Sequence, residues 1–293
     1  MAPRSEPYAA LARRALAEDR VGRDRTSRAV VDPTLRAVGV VSAQATGVLS
    51  GVGVAAAVAR AAGLRVVRRA TEGRRVGRGT VVLEVEGDAR SVLAVERTIL
   101  NFLMHLSGVA TSTDRAVRAA QGARPRLEVW GTRKTIPGLR DLEKSAIRHG
   151  GGRPHRRDLS DGILVKNNHL ALVPLAEAVA RARRAARPGE PVEVEVGSPA
   201  AAVAAARAGA DALLLDNLSP AAARRVVRAL ESAGLRRGRW VELSGGITPD
   251  TIGRYVRVGA DAASLGSLTH SAAALPFHLT LRPEGGRLSR RRR

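Results

Sequence analysis

The stretch GTRKTIPGLRDLEKSAIRHGGGRPHRRDLSDGILVKNNHL, residues 131–170, is the most informative part of this 293-residue chain. It groups cationic side chains around three consecutive glycines and ends in a short apolar run that leads to Lys166. This apolar run belongs to a series that predicts the fold, and the charges beside it indicate the chemistry.

Lysine is confined to this stretch. Of 49 Lys and Arg residues only three are lysine, namely Lys134, Lys144 and Lys166. Lys provides a compact charge on a flexible stem, which the planar fork of Arg does not reproduce. In a chain that otherwise uses Arg, we expect functional roles for Lys134 and Lys166. Lys144 lies in the helical pattern DLEKSAIRHG, where we expect an ordinary solvated residue.

Outward from this stretch, short apolar runs alternate with helical patterns. The runs are LEVWGT (127–132), GILVKN (162–167), VEVEV (192–196), ALLLDN (212–217), WVELSG (240–245) and AASLGS (262–267). Strands that alternate with helices predict parallel βα units. Six such units favour a barrel over an open sheet, and no G-x-G-x-x-G follows the first strand to indicate a dinucleotide site.

The first hundred residues have a different pattern. An amphipathic helix is expected from Tyr8 to Asp19, and residues 30–90 indicate strands of a mixed or antiparallel sheet with one helix near residues 54–62. Residues 89–106 predict a helix that is apolar on most faces and therefore buried. The sequence thus predicts an α/β protein with two differently built parts.

The composition excludes several classes of protein. The chain has no cysteine, which excludes disulfides, thiolate zinc sites and cysteine nucleophiles. No signal peptide opens it and no apolar run predicts a membrane span, so we expect a cytoplasmic protein. The net charge of +22 is spread along presumed helix faces and a terminal run, Arg290 to Arg293. No RNA-binding motif accompanies it, so we expect no specific nucleic-acid partner.

Polar residues or glycine follow each predicted barrel strand. In a βα barrel the carboxyl ends of the strands meet at the active site. One rim would then gather the cations, carboxylates and glycine turns that suit a phosphorylated anionic substrate with a metal ion. These strand-end residues are Thr132, Arg133, Lys134, Lys166, Glu193, Glu195, Asp216, Asn217, Ser244, Gly245, Gly246, Gly266 and Ser267.

Two kinds of strand end have a predicted ligand. The glycines of Ser244-Gly245-Gly246 and Leu265-Gly266-Ser267 allow backbone N–H groups to approach a phosphate. Glu195 and Asp216 are hard carboxylates that suit Mg²⁺ or, equally, the hydroxyls of a ribose. Glu193 shares the face of Glu195 by strand alternation and is a second candidate.

A cationic set indicates a carboxylate substrate. It comprises Arg133, His155, Arg156 and Lys166, and Arg forks bind carboxylates in a bidentate manner. His155 is chosen because Arg156 follows it and the glycine run precedes it. The remaining candidates, His149, His169 and His278, are expected to be structural.

The motifs resemble the quinolinate phosphoribosyltransferase family over nearly the whole chain. The matching blocks are ALAEDRVGRDRTS, ERTILNFLMHLSGVAT, GTRKTIPGLRDLEK, GGGRPHRRDLSDGILVKNNH, EVEV, LLLDN, ELSGGI and SLGSLTHS. One departure is Pro154, where the family commonly has Asn, and proline removes a backbone N–H and stiffens the loop.

The resemblance implies a type II phosphoribosyltransferase-like fold. An N-terminal α/β sandwich, residues 1–115 joined by 275–293, would accompany an incomplete, open α/β barrel, residues 116–274. It also implies a homodimer with shared active sites, in which Arg97 enters from the neighbouring subunit. Assembly into a hexamer of dimers is left open.

The implied reaction joins quinolinate to 5-phosphoribosyl 1-diphosphate with Mg²⁺, and gives nicotinate mononucleotide, diphosphate and CO2. Quinolinate would meet Arg97, Thr132, Arg133, His155, Arg156 and Lys166. Lys134 would hold the diphosphate, and Glu195 and Asp216 the ribose hydroxyls and Mg²⁺. The 5-phosphate would meet Ser244, Gly245, Gly246, Gly266 and Ser267, with His270 nearby.

Three alternatives stay open. A related phosphoribosyltransferase of the type found beside molybdate transporters would share the barrel motifs but use another acceptor. The others are a basic nucleic-acid-binding protein and a barrel with a structural role only. The full cationic set favours a dicarboxylate acceptor.

Overall fold

The computed structural model describes residues 8–122 and 127–285. The terminal arginine run falls outside them. The described chain divides into two compact units: one holds the residues up to Thr111 and those from Ala273 onward, and the other holds residues 112–272. The division falls close to the boundary that the sequence suggested at residue 115.

The elements are numbered in chain order. The strands within the described residues are β1 (Arg36–Ala43), β2 (Gly47–Val48), β3 (Arg65–Arg69), β4 (Arg75–Val76), β5 (Val81–Asp88), β6 (Glu128–Trp130), β7 (Ile163–Val165), β8 (Val192–Val196), β9 (Ala212–Asp216), β10 (Trp240–Ser244), β11 (Ala262–Ser264) and β12 (Phe277–Pro283). The helices there are α1 (Ala9–Glu18), α2 (Arg25–Val30), α3 (Val52–Ala61), α4 (Ala89–Ala119), α5 (Arg140–His149), α6 (Asn167–Leu170), α7 (Leu175–Ala185), α8 (Pro199–Arg207), α9 (Pro220–Ser232) and α10 (Ser267–His270).

The first unit is built on an antiparallel sheet with the strand order β12-β1-β5-β3. Its antiparallel pairing agrees with the expectation from residues 30–90. Apolar residues of the sheet, such as Val41 and Leu83, pack in one core with Ile99 and Leu103 of α4. The C-terminal strand β12 pairs with β1, so the end of the described chain belongs to this unit.

Helix α4 is longer than the sequence predicted, since it continues past residue 106 to Ala119. Its last turns are polar and include the pair Asp114 and Arg118, whose side chains lie 3.0 Å apart at i,i+4. By length and composition alone α4 could cross a membrane, but 56% of its apolar window is buried inside the protein. A buried core helix passes the same test, so this is weak evidence for a membrane segment.

The second unit is a parallel sheet of six strands in the order β6-β11-β10-β9-β8-β7. Each of the six apolar runs predicted as a strand forms one. The first two strands of this unit, β6 and β7, form the edges of the sheet, which leaves the barrel open between them. Arg153 makes a single parallel bridge to Trp130 of β6. The loop that follows the three glycines therefore begins alongside this edge strand.

Alternation along the barrel strands separates the core from the polar interior. In β8, Val192, Val194 and Val196 pack in the core with residues of α7, α8 and α9. Glu193 and Glu195 lie on the opposite face and line cavities inside the sheet. The interior of this barrel is therefore partly polar, and its acidic residues are held on rigid strands.

Candidate active site

A cavity of about 290 Å³ lies at the carboxyl ends of the barrel strands. Nine residues that the sequence singled out line it together: seven lie at or just after the ends of five strands, and two lie in the loop between α5 and β7. They are Thr132, Arg133, Lys134, His155, Arg156, Lys166, Glu195, Asp216 and Ser244. The convergence predicted from strand ends is thus present in the fold.

The loop after β6 presents Arg133 and Lys134. Its backbone is fixed from two sides, because the Thr132 hydroxyl accepts a hydrogen bond from the Lys134 N–H (3.0 Å) and the Thr269 hydroxyl donates to the Lys134 carbonyl (2.6 Å). The Thr132 hydroxyl thus has a structural partner in the loop itself. The Nε atom of Arg133 is buried and has no hydrogen-bond partner among the described residues. A buried donor without a partner is costly, so an anionic ligand would satisfy it.

His155 lies in a backbone conformation that is rare for a non-glycine residue, with φ of 54°. Its Nδ1 accepts a hydrogen bond from the Arg156 N–H at 2.6 Å, and its Nε2 lies 3.2 Å from the Glu242 carboxylate. The sequence analysis grouped His155 with the cations of the site, and its ring lies in the cavity wall together with Arg133 and Arg156.

Arg156 is the half-buried cation of the same loop. Burial lowers the pKa of its guanidinium, and the neighbouring Arg133 adds to the effect, whereas Glu193 and Asp161 oppose it. Two guanidinium groups that repel each other in a partly desolvated cavity favour an anion between them. This side of the cavity suits a ligand with more than one negative charge.

Glu195 and Asp216 form the acidic side of the cavity. Glu195 is 9% exposed, and its one hydrogen bond among the described residues comes from the Asn167 N–H at 3.5 Å. Asp216 ends β9, next to Ser244 on β10. Carboxylates with so few protein donors can accept ribose hydroxyls or hard cations, and their oxygen chemistry fits Mg²⁺.

A second acidic group lies deeper in the barrel. One ligand atom each of His155, Glu193 and Glu242 lies within 4.8 Å of the other two. Burial, and after it the neighbouring Glu242 carboxylate, raise the pKa of Glu193 to about 7. The Oε1 atom of Glu242 lies 3.2 Å from the His155 ring but has no hydrogen-bond partner among the described residues.

The glycine turns at the ends of β10 and β11 are built for close approach. Gly245 and Gly246 have φ values of 83° and 63°. A Cβ on Gly245 would lie 2.5 Å from the Asn217 backbone nitrogen, and one on Gly266 would lie 2.9 Å from the Lys134 side chain and 3.0 Å from the His270 ring. Gly266 and His270 therefore lie beside the loop that carries Lys134.

The Ser267 hydroxyl donates to the Ile247 carbonyl at 3.1 Å. It therefore tethers the loop after β10 to the start of α10. Ser267 is not among the residues that line the cavity, and neither are Gly245, Gly246, Gly266 and His270. His169 has the structural role expected for it, because its Nδ1 accepts the Lys166 N–H at 2.8 Å.

Lys144 is not the solvated residue that the sequence predicted. Its side chain is 3% exposed, and its Nζ donates to the carbonyl of Pro154 and, at 3.3 Å, to that of His155. Burial lowers the pKa of Lys144 to about 8, with nearby Arg140 contributing. The amphipathic pattern of α5 was recognised, but the face on which the glycine-rich loop packs was not.

Arg97 lies within residues 89–106, which the sequence predicted as a helix that is apolar on most faces and buried. Its side chain is nevertheless 64% exposed within its own chain, and its guanidinium lies 4.0 Å from the Glu96 carboxylate. Residue 97 therefore falls on the solvent-facing edge of α4.

Sequence reasoning missed several residues of the cavity, chiefly Glu242 and Ser264. Strand alternation could have found them, because Glu242 precedes Ser244 by two residues and Ser264 precedes Gly266 by two. Glu242 also lines a second cavity of about 690 Å³, at the amino ends of the strands, together with Trp130 and Trp240. The layer that contains Glu242 thus separates two cavities.

Comparisons with known proteins agree over most of the chain. Residues 24–107 match the family model "Quinolinate phosphoribosyl transferase, N-terminal domain", and residues 109–280 match the C-terminal domain of the same family. The probable nicotinate-nucleotide pyrophosphorylase (carboxylating) of Methanothermobacter thermautotrophicus is 42% identical over 260 residues, which cover 88% of this chain and 93% of the relative.

Two further relatives extend the likeness. The nicotinate-nucleotide pyrophosphorylase (carboxylating) of Mycobacterium leprae is 39% identical over 279 residues. The match covers 92% of this chain and 95% of the relative. The crystal structure of NadC from Streptococcus pyogenes has a TM-score of 0.85 at 37% identity and covers 97% of this chain and 99% of its own. The likeness thus holds for sequence and for fold.

Proposed function

The chain belongs to the quinolinate phosphoribosyl transferase family, and from this membership we propose that it transfers the phosphoribosyl group of 5-phosphoribosyl 1-diphosphate to quinolinate. The products are nicotinate mononucleotide, diphosphate and CO2. The reaction makes the chain a pentosyltransferase of NAD biosynthesis.

One observation supports this reading above the others. A single cavity presents Arg133, Arg156 and Lys166 opposite Glu195 and Asp216. The cations suit the two carboxylates of quinolinate, and the buried, unpartnered Nε of Arg133 needs such an acceptor. The carboxylates suit the ribose. A monocarboxylate acceptor would leave part of this positive charge unmatched.

In the first step the ring nitrogen of quinolinate attacks C1 of the phosphoribosyl group. The bond from C1 to the diphosphate oxygen breaks, and its electron pair leaves with the diphosphate, which Lys134 holds. Glu195 and Asp216 bind the ribose hydroxyls and face the positive charge that develops on the ring. Ser244, Gly245 and Gly246 bind the 5-phosphate. These residues act by positioning and by charge.

In the second step the carboxylate next to the ring nitrogen is lost as CO2. The electron pair of the broken C–C bond remains on C2, where the adjacent cationic nitrogen stabilises it, and a proton then converts it to C–H. No organic cofactor is needed. Arg156 and Arg133 keep the remaining carboxylate and the ring in place.

Mg²⁺ belongs to this proposal as the partner of the diphosphate. Glu195 and Asp216 would hold it, directly or through water or substrate, and when bound it neutralises charge on the leaving group. The protein would be cytoplasmic and a homodimer. Arg97 of one subunit would reach quinolinate in the site of the other, which agrees with its exposure on its own chain.

The proposal is tested by quinolinate-dependent turnover. Purified protein with 5-phosphoribosyl 1-diphosphate, Mg²⁺ and quinolinate is expected to release diphosphate and CO2 in equal amounts. Omission of quinolinate, or its replacement by nicotinate, should abolish both. Diphosphate release with another acceptor and without CO2 would instead support a related phosphoribosyltransferase.

A further inference from the structure

We propose that Glu143 and Lys144, two neighbouring buried charges on α5, are positioning residues that hold the two cationic loops of the site in their working arrangement. The inference rests on the proposed function, because its effect is measured on the binding of quinolinate. Neither side chain is among those that line the active-site cavity.

Lys144 holds the loop that carries His155 and Arg156. It is 3% exposed, and its ammonium donates to the backbone carbonyls of Pro154 and His155. His155 has a φ of 54°, a conformation that is unfavourable for a non-glycine residue and persists only where its surroundings enforce it. The hydrogen bonds from the Lys144 ammonium to two successive carbonyls provide this constraint.

Glu143 holds the other loop. It is fully buried, and its carboxylate accepts the Ile136 N–H at 3.1 Å, three residues after Arg133. The same loop is also tied by Arg140 of α5, whose Nε donates to the Thr135 hydroxyl at 2.9 Å. Neighbouring residues of α5 therefore contact both loops. Glu143 accepts a hydrogen bond from the loop of Arg133, and Lys144 donates to the loop of His155.

Stability alone does not explain a buried Lys. Burial opposes the charged form of this side chain, since it lowers the pKa of Lys144 to about 8. Almost all basic residues of the chain are Arg, yet this position holds a Lys. A compact head that reaches two adjacent carbonyls accounts for that choice.

Pro154 fits the same arrangement. Proline lacks a backbone N–H but keeps its carbonyl, and the carbonyl is the atom that Lys144 uses. A proline at this position therefore leaves the contact intact and restricts the loop further. The departure from the Asn that is common in the family is compatible with an ordered site.

The test compares Lys144→Met with Arg148→Met, which removes an exposed cation one turn later on α5. We expect Lys144→Met to remain folded at the assay temperature, although two carbonyls lose their donor, and to raise the KM for quinolinate about tenfold or more while the KM for 5-phosphoribosyl 1-diphosphate stays within about twofold. Arg148→Met should change neither. An unchanged quinolinate KM in Lys144→Met would overturn the proposal, as would a loss of activity that tracks a loss of stability.

A second readout does not depend on turnover. The chain has only two tryptophans, and Trp130 lies 5.3 Å from the His155 ring and 5.6 Å from Trp240. The tryptophan emission of Lys144→Met without substrate should therefore differ from that of wild type and of Arg148→Met. Identical spectra would contradict the inference. If wild type itself fails to turn over quinolinate, the proposed function fails while this spectral comparison still decides the role of Lys144.

Two variants complete the design. If Lys144→Met does not fold, Lys144→Arg keeps the charge but replaces the compact head with a longer planar one, and the same rise in the KM for quinolinate is expected. A wild-type KM in Lys144→Arg would then overturn the proposal. Glu143→Met should disturb the loop of Lys134 and raise the KM for both substrates; an effect on neither would remove Glu143 from the pair.

Discussion

Lysine and arginine carry the same charge, but this site places lysine where the two differ in shape. Lys134 packs against Gly266, where even a methyl group would come within 2.9 Å of its side chain. Lys166 lies at the end of β7, just before α6. The planar guanidinium of Arg, with its five donors, would not fit beside Gly266 at position 134 and would bind a ligand differently at position 166.

We therefore expect Lys134→Arg and Lys166→Arg to lower kcat/KM by about 100-fold or more, because misplacement by an ångström is enough for such a loss. Circular dichroism and thermal melting should show an intact fold. Arg181→Lys, at an exposed pair with Glu177 on α7, is the control and should be silent. Near wild-type activity in both lysine variants would refute the argument from lysine retention.

Glu193 gives a prediction for stability against pH. Burial and then the Glu242 carboxylate raise the pKa of Glu193 from 4.5 to about 7. The folded state thus binds this proton more tightly than the unfolded chain, so the stability that it contributes is present below about pH 4.5 and is lost as the pH rises through about 7. Glu193→Gln removes this dependence.

Chemical denaturation of Glu193→Gln and wild type at pH 5 and pH 8 measures the difference. The variant should gain about 2 kcal/mol relative to wild type between these pH values. Equal shifts in the two proteins would mean that Glu193 is ionised throughout. The comparison is made on folding, so it is independent of any effect of the variant on turnover.

For single residues, the sequence predicted a place in the cavity correctly where a polar residue type coincided with a strand end, as for Glu195, Asp216 and Ser244. It failed where burial decided, as for Lys144 and Arg97. Burial depends on which elements pack against a helix face, and a single helix pattern does not contain that information. Glu242 was missed for the opposite reason, since alternation within one strand would have identified it.

At the level of secondary-structure elements, a prediction concerns Gly245 in the turn after β10. At φ of 83° any Cβ is strained, and at Gly245 the added atom would also come within 2.5 Å of the Asn217 backbone. Gly245→Ala should therefore lower stability by about 2 kcal/mol and raise the KM for 5-phosphoribosyl 1-diphosphate, because the backbone that meets the 5-phosphate must move.

The matched control is Gly189→Ala. Gly189 has a similar φ of 78°, but nothing lies within 4 Å of an added Cβ, and it lies before β8, away from the strand ends that form the site. It should show the backbone strain alone and an unchanged KM. If the two variants have the same KM, the close approach at Gly245 does not serve the phosphate site.

The elements themselves were largely predictable from local pattern. All six barrel strands follow apolar runs, and β8 has the limits of the VEVEV run. The length of α4 was not predictable from hydrophobicity, because its last turns are polar and are supported by pairs such as Asp114 with Arg118. Periodicity detects the apolar face of a helix and does not mark where a polar continuation ends.

For the whole molecule, the proposed homodimer with shared active sites predicts complementation. Arg97→Ala and Lys166→Ala should each be nearly inactive. After subunit exchange, a mixed dimer has one site that combines an intact Arg97 with an intact Lys166. With random exchange about half the dimers are mixed, which gives roughly a quarter of wild-type activity from the symmetry of an isologous dimer. Activity is assayed before and after exchange.

Exchange must be confirmed independently, with differently tagged subunits. No recovery of activity after confirmed exchange would mean that Arg97 serves its own chain or has no part in catalysis. The exposed position of Arg97 permits a contact with a neighbouring subunit. The experiment therefore decides between an exposed surface residue and a substrate contact supplied by the partner.

The number of barrel strands was predictable, but their order was not. Six βα units do not indicate whether the first strand closes against the last or where an opening falls. Here the opening lies between β6 and β7, consecutive in the chain, and Arg153 makes its bridge at that edge. Such pairing is decided by packing across the sheet, which no local run of sequence records.

The scarcity of lysine has a practical consequence for chemical labelling. Of the three lysines, Lys144 is buried, while Lys134 and Lys166 are exposed and line one cavity. An acylating reagent should therefore modify the folded protein almost only at the mouth of this cavity, apart from the terminal amine. Mass spectrometry of the acylated protein would become a footprint of the site, and substrates that fill it should protect both amines together.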